Sequence, residues 1–140
     1  MRVVLDTNIF ISALLTPKGL PSQVLRLWFE NRYDLVTSSW QIEELRAVSR
    51  RDKIKERVKA ADVGTLVNNL RSKALVIDEL PSVSYSPDPD DDNIIAAALA
   101  ARAHYIVSRD KDDVLELGKV EGVRMLTVRE FVRLFRKPVQ

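Results

Sequence analysis

Residues 3–15 read VVLDTNIFISALL, and the way this stretch breaks decides the fold. Val3, Val4 and Leu5 are apolar and mostly β-branched, the pattern of a short buried strand over residues 2–5 that Asp6 stops. Residues 8–15 (NIFISALL) then read as a helix that begins with no intervening loop and ends at Pro17 and Gly19. A buried strand followed at once by a helix is the opening of an α/β unit, and the rest of the chain repeats it.

Working outward, Val24, Leu25, Leu27 and Trp28 give an apolar stripe at helical spacing between Pro21 and Asn31. Residues 34–37 (DLVT) form a second strand, and Ser38 and Ser39 supply an N-cap for a helix over residues 40–50. Residues 53–73 read as one or two charged amphipathic helices, with a break between Ala60 and Gly64. Residues 74–77 (ALVI) are a third strand. Pro81, Pro87 and Pro89 mark residues 78–90 as loop. A helix of small side chains follows at 92–102, then a strand at 105–107. A short helix from Asp112 to Leu117 ends at Gly118, and a fifth strand covers 123–126. Thr127 and Glu130 have the spacing of a capping box, opening a last helix at 128–135. The expected fold is an α/β/α sandwich around a mainly parallel sheet of about five strands, in a single domain covering residues 1–140.

Composition narrows the chemistry. The chain has 140 residues, no cysteine and one histidine, His104. Disulfides, thiolate metal sites and a cysteine nucleophile are excluded, and no histidine pair exists for acid–base work. Catalysis must rest on carboxylates, hydroxyls, lysines or a metal ion. No apolar run approaches the ~20 residues of a membrane span, and the N-terminus turns polar by Asp6, so a cytoplasmic location is expected.

Ligands of open parallel sheets gather at the carboxyl ends of the strands. In this chain each of those ends carries acid. Asp6-Thr7-Asn8 follow the first strand, Glu43 and Glu44 lie on the helix after the second, Asp88 to Asn93 precede the small-residue helix, and Ser108-Arg109-Asp110-Lys111-Asp112-Asp113 follow the fourth. Carboxylates that converge repel one another, and a hard cation with oxygen ligands, Mg²⁺ or Mn²⁺, relieves the repulsion and activates water. Each acid also has a plain role alone, as helix cap, solvated charge or turn residue; their joint placement carries the argument. The formal net charge is +2, and setting aside Asp6, Glu44, Asp91 and Asp110 leaves +6, a basic surround that suits a polyanion.

These residues resemble the PIN-domain family, in particular VapC-like toxin nucleases, over nearly the whole chain. VVLDTNIFISALL resembles the family's opening motif, TSSWQIEELRAVSR its second, and DPDDDNIIAAALAARAHYIVSRDKDDVL its third and fourth in one run. The resemblance implies a Mg²⁺- or Mn²⁺-dependent ribonuclease in which Asp6, Glu44, Asp91 and Asp110 are catalytic and hold the metal, with Asp92 and Asp112 as further ligands. Glu43 is the alternative to Glu44, and Asp92 the alternative to Asp91 as the third carboxylate. Thr7, Asn8 and Ser108 match the polar positions that orient the carboxylates. Arg109 stands where relatives often have glycine, and is read as a phosphate contact. The resemblance further implies a single-stranded RNA substrate, a small antitoxin protein as partner, and a homodimer or higher oligomer. Trp28, Phe29, Trp40 and Phe131 are candidates for such contacts, with core the default for most of them.

Other readings fit less well. An aspartyl phosphatase wants a second aspartate two residues after the first, where this chain has Asn8. A receiver domain wants a phosphorylatable aspartate after a central strand, and Asp78-Glu79-Leu80-Pro81 matches poorly. A non-toxin nuclease in RNA processing, a flap-type DNA nuclease and a non-catalytic RNA-binding module on the same fold stay open.

Overall fold

The computed structural model describes residues 1–109 and 113–136, without the side chains of residues 113 and 114. In chain order the elements are β1 (Arg2–Leu5), α1 (Thr7–Leu15), α2 (Leu20–Phe29), β2 (Asp34–Ser38), α3 (Ser39–Ser49), α4 (Asp52–Lys55), α5 (Ala60–Lys73) and β3 (Leu75–Ile77). Then follow α6 (Pro89–Ala100), β4 (Tyr105–Ser108), α7 (Asp113–Glu116), β5 (Lys119–Val120), β6 (Val123–Thr127) and α8 (Val128–Arg133). The sheet order is β3-β2-β1-β4-β6-β5. All neighbouring pairs run parallel except β5 with β6.

The expected five strands are present, and β5 adds a sixth. It forms a hairpin with β6 in which Val120 pairs with Val123 across Glu121 and Gly122. Both turn residues have positive φ, 46° and 90°, the conformation a two-residue turn needs to follow the twist of the strands. The expected break in the 53–73 region falls earlier, at residues 56–59, where Val58 is buried and Lys59 leads extended backbone into α5.

Alternation along the buried strands sends side chains to both faces of the sheet. Val3, Leu5, Leu35, Val107 and Leu126 point to one side, where they pack with Phe10, Trp28, Leu45, Leu70 and Phe131. Val4, Val36, Ile106 and Met125 point to the other, where they meet Ile94, Ile95 and Ala98 of α6. The alanines of α6 let that helix lie close to β1, β2 and β4. Of the four aromatic contact candidates, Trp28 and Phe131 are core, Trp40 is half-buried and Phe29 is exposed. Among the described residues no helix is long and apolar enough to cross a membrane.

Parallel register fixes what stands at the sheet's carboxyl edge. Leu5 pairs with Val107, and Ser108 with Thr127. The Asp6 amide donates to the Val107 carbonyl at 2.9 Å, so Asp6 and Ser108 emerge side by side from the two central strands. The close seat of α6 makes a size test: Ala98→Leu, at a position with no exposure, is expected to lower the unfolding free energy by about 1–3 kcal/mol through overpacking. Urea denaturation checks this; an unchanged midpoint would mean that α6 has room to spare.

Candidate active site

Asp6 is the N-cap of α1, and its Oδ1 accepts from the Asn8 amide at 3.4 Å. Its Oδ2 accepts from the Ser108 hydroxyl at 3.0 Å. Ser108 is fully buried at the end of β4, so the bond sets the Asp6 carboxylate from below. Thr7 is buried beside it.

The acidic loop before α6 is wound around Ser86. The Asp88 amide donates to Ser86 Oγ at 3.2 Å, and that hydroxyl lies 3.3 Å from Asp91 Oδ2, to which it donates. Asp88 caps α6 by accepting from the Asp90 amide at 2.9 Å. Asp92 Oδ1 accepts from the backbone amides of Tyr85 and Ser86, both at 2.9 Å. Adjacent aspartates thus have different roles: Asp92 braces the loop, and Asp91 turns to the space in front of the sheet.

That space is a cleft of about 360 Å³ lined, among the described residues, by five carboxylates, Asp6, Glu44, Asp88, Asp90 and Asp91, with Thr7, Asn8, Trp40 and a single cation, Arg51. Three of the four carboxylates expected to be catalytic therefore face one cavity. Asp110 and Asp112 lie outside the described residues. Glu43, one residue from Glu44, points elsewhere: it is exposed, 4.0 Å from Arg46 and 3.9 Å from Arg71. Arg109 is exposed and does not line the acidic cleft; it borders a shallow groove with Leu20, Pro21, Val128 and Arg129.

The donor chemistry fits a hard divalent cation, because the cleft presents carboxylate oxygens and no histidine. The acids share a cavity without being drawn into a tight group. Among the described residues no three of them are close enough together to ligate one ion.

Three residues at the site were not singled out from the sequence: Ser86, which holds Asp91, Arg51, which lines the cleft, and Gln41. Gln41, 1% exposed, donates through Nε2 to the Leu5 carbonyl at 2.6 Å and to Thr7 Oγ1 at 3.3 Å, and its Oε1 accepts from Thr37 Oγ1 at 2.6 Å. The signal was available. Ser38 and Gln41 have capping-box spacing, and the Gln41 amide does donate to Ser38 Oγ at 3.0 Å. The glutamine side chain, however, reaches across to β1 rather than back to its own cap. It fastens the helix that carries Glu44 to the strand that delivers Asp6. Gln41→Leu keeps the bulk and removes the amide, leaving a buried carbonyl and hydroxyl short of partners. It is expected to destabilise the protein by about 1–3 kcal/mol, measured by chemical denaturation; wild-type stability would show the network to be dispensable.

Comparison with known proteins agrees with this architecture. Residues 2–112 match the family model of the PIN domain. The chain is 26% identical over 145 positions to an uncharacterized protein of Methanocaldococcus jannaschii, covering 98% of this chain and 93% of the relative. Its structure is similar to the crystal structure of VapBC2 from Rickettsia felis bound to a DNA fragment from their promoter. The TM-score is 0.57 at 19% identity, over 91% of this chain and 98% of the other. At that identity the likeness speaks for the fold.

Proposed function

This chain belongs to the PIN-domain family, and on that premise we propose that it is a metal-dependent endoribonuclease that hydrolyses single-stranded RNA. The observation that carries the reading is the shared cleft: Asp6, Glu44 and Asp91 come from three separate segments and line one cavity at the carboxyl edge of the sheet. Such a concentration of acid in a pocket with one guanidinium suits a hard dication and offers little to a substrate without one.

In this reading Asp6, Glu44, Asp91 and Asp110 would hold Mg²⁺ or Mn²⁺, with Asp112 and Asp92 beside them; Asp92 keeps one oxygen on the loop amides. A bound dication supplies activation of water and neutralises charge developing on the phosphodiester. The protein's own groups do the positioning. Ser108 and the Asn8 amide fix the Asp6 carboxylate, Ser86 fixes Asp91, and Gln41 fixes Thr7 and the end of β1. Arg51, at the cleft, is placed to meet a phosphate oxygen. Water adds to phosphorus in line with the scissile P–O bond, that bond breaks, and the products are a phosphate monoester and a hydroxyl.

The likeness of fold to the Rickettsia felis assembly supports a toxin role with a small antitoxin protein as partner; a homodimer or higher oligomer in the cytoplasm completes the proposed reading. Phe29, 44% exposed, and Leu134, 49% exposed, offer apolar surface for such contacts.

Asp6→Asn keeps Oδ1, which accepts from the Asn8 amide, and puts an amide nitrogen in place of Oδ2, which can donate to the Ser108 hydroxyl oxygen, so the fold should hold while the charge is lost. Cleavage of a single-stranded RNA panel with Mg²⁺ or Mn²⁺ is expected to vanish in this variant, and in wild type with EDTA. Full activity in the variant, with a wild-type melting curve, would overturn the assignment of Asp6. Arg109→Ala is expected to weaken RNA binding several-fold, read by fluorescence anisotropy; unchanged affinity would remove Arg109 from the substrate path.

A further inference from the structure

A second and larger cleft, about 680 Å³, opens between the end of α3, α4 and the start of α5. Its charge is the reverse of the first. Five cations line it, Arg46, Arg50, Lys55, Arg57 and Lys59, against one anion, Glu56. Its floor is apolar: Val67 and Val58 are buried and Val63 half-buried. Lys55, Arg57 and Lys59 are exposed, and no ion pair within 4.0 Å is found for these three or for Arg50 among the described residues. Repulsion among like charges makes such a crowd costly unless an anion shares it.

The two clefts lie on opposite faces of one helix. Glu44 and Val48 line the acidic cleft with Arg51 just beyond, at spacings of four and three that keep them on one side of α3. Arg46, Ser49 and Arg50 line the basic cleft from the other side. Arg50 and Arg51 are consecutive at the α3–α4 turn, so the clefts meet there. A chain of phosphates that leaves the acidic cleft at Arg51 has the cations of the basic cleft on the other side of that turn. A compact anion would use only some of those cations; an extended one uses all of them.

We propose that the basic cleft is a second binding site, for the phosphodiester backbone of single-stranded nucleic acid, that grips RNA outside the acidic cleft. This rests on the ribonuclease reading for the identity of the polymer, but the site makes its own testable claim about binding. It gives the protein affinity for RNA that does not depend on the carboxylates.

The test uses a labelled oligouridylate in EDTA, where no cleavage interferes, and measures affinity against salt concentration by anisotropy. Two triple variants carry the same charge change. One, Lys55→Ala with Arg57→Ala and Lys59→Ala, removes three of the five cations of the cleft. The other, Lys18→Ala with Arg26→Ala and Lys119→Ala, removes exposed cations elsewhere. Each phosphate contact on a single strand contributes about 0.7 to the slope of log affinity against log salt. The cleft variant is therefore expected to lose about 2 units of slope and at least tenfold in affinity at low salt, and the control to keep both. Equal losses in the two variants would reduce the effect to bulk charge and overturn the site, as would an unchanged cleft variant. Competition with inorganic pyrophosphate that displaces no oligouridylate agrees with the proposal; displacement at equal phosphate concentration would make it a small-anion pocket instead. Cleft-dependent binding in a protein that never cleaves RNA would uphold this site and sink the nuclease reading, and the reverse result would do the opposite.

Discussion

The structure turns on carboxylates that separate segments of the chain bring to one cleft. Five carboxylates face one small space with a single guanidinium for company. The fold tolerates this by giving the acids neutral donors and helix ends. Asp6 caps α1 and Asp88 caps α6, where exposed amides and the positive end of the helix dipole favour negative charge. Ser108, Ser86 and backbone amides occupy oxygens of Asp6, Asp91 and Asp92. These partners orient the carboxylates. The carboxylate lining suits a dication, and the rest of the fold is the frame that holds that lining in place.

The frame is rigid because it is buried on both sides. Strand residues alternate between two apolar clusters, so a shift of register would turn core side chains out. The parallel pairing of β1 and β4 then fixes Asp6 beside Ser108. The Gln41 network applies the same logic laterally, with a polar residue fully inside the protein tying α3 to β1. Such a network specifies one arrangement only if all its members are satisfied, and among the described residues no buried side-chain polar atom lacks a partner.

Much of this was legible in the sequence, for reasons that can be named. Short apolar runs bounded by polar residues are legible as the five parallel strands, and Thr127 with Glu130 forms the capping box that its spacing predicted. The backbone hydrogen bond from Thr127 also holds the Glu130 carboxyl below its ordinary value. What escaped was local geometry. β5 is two residues long and depends on a Glu-Gly turn with two positive φ values, which periodicity does not reveal. The choices between Glu43 and Glu44, and between Asp91 and Asp92, depend on helix phase within one residue. The structure separates each pair: Glu43 stands near arginines and Asp92 on loop amides, while Glu44 and Asp91 line the cleft. Gln41 escaped because its spacing suggests a local cap, and only the tertiary fold sends it to another strand.

Helix α3 relates the two clefts physically. From Glu44 to Arg50 is six residues, or about 9 Å of helix rise, close to the Debye length of about 8 Å at physiological salt. Opposite fields at that separation are neither merged nor independent. A phosphate near the α3–α4 turn is drawn to the cations of one cleft while still feeling the carboxylates of the other. An acidic cavity alone would repel the polyanion it is proposed to cut, and a basic cavity alone would have no way to cut it. Placing them back to back on one helix, joined at Arg50 and Arg51, lets attraction act beside the acidic site rather than in it. The modest net charge of +2 conceals this arrangement, because the sum over the chain discards the separation that gives each cleft its effect.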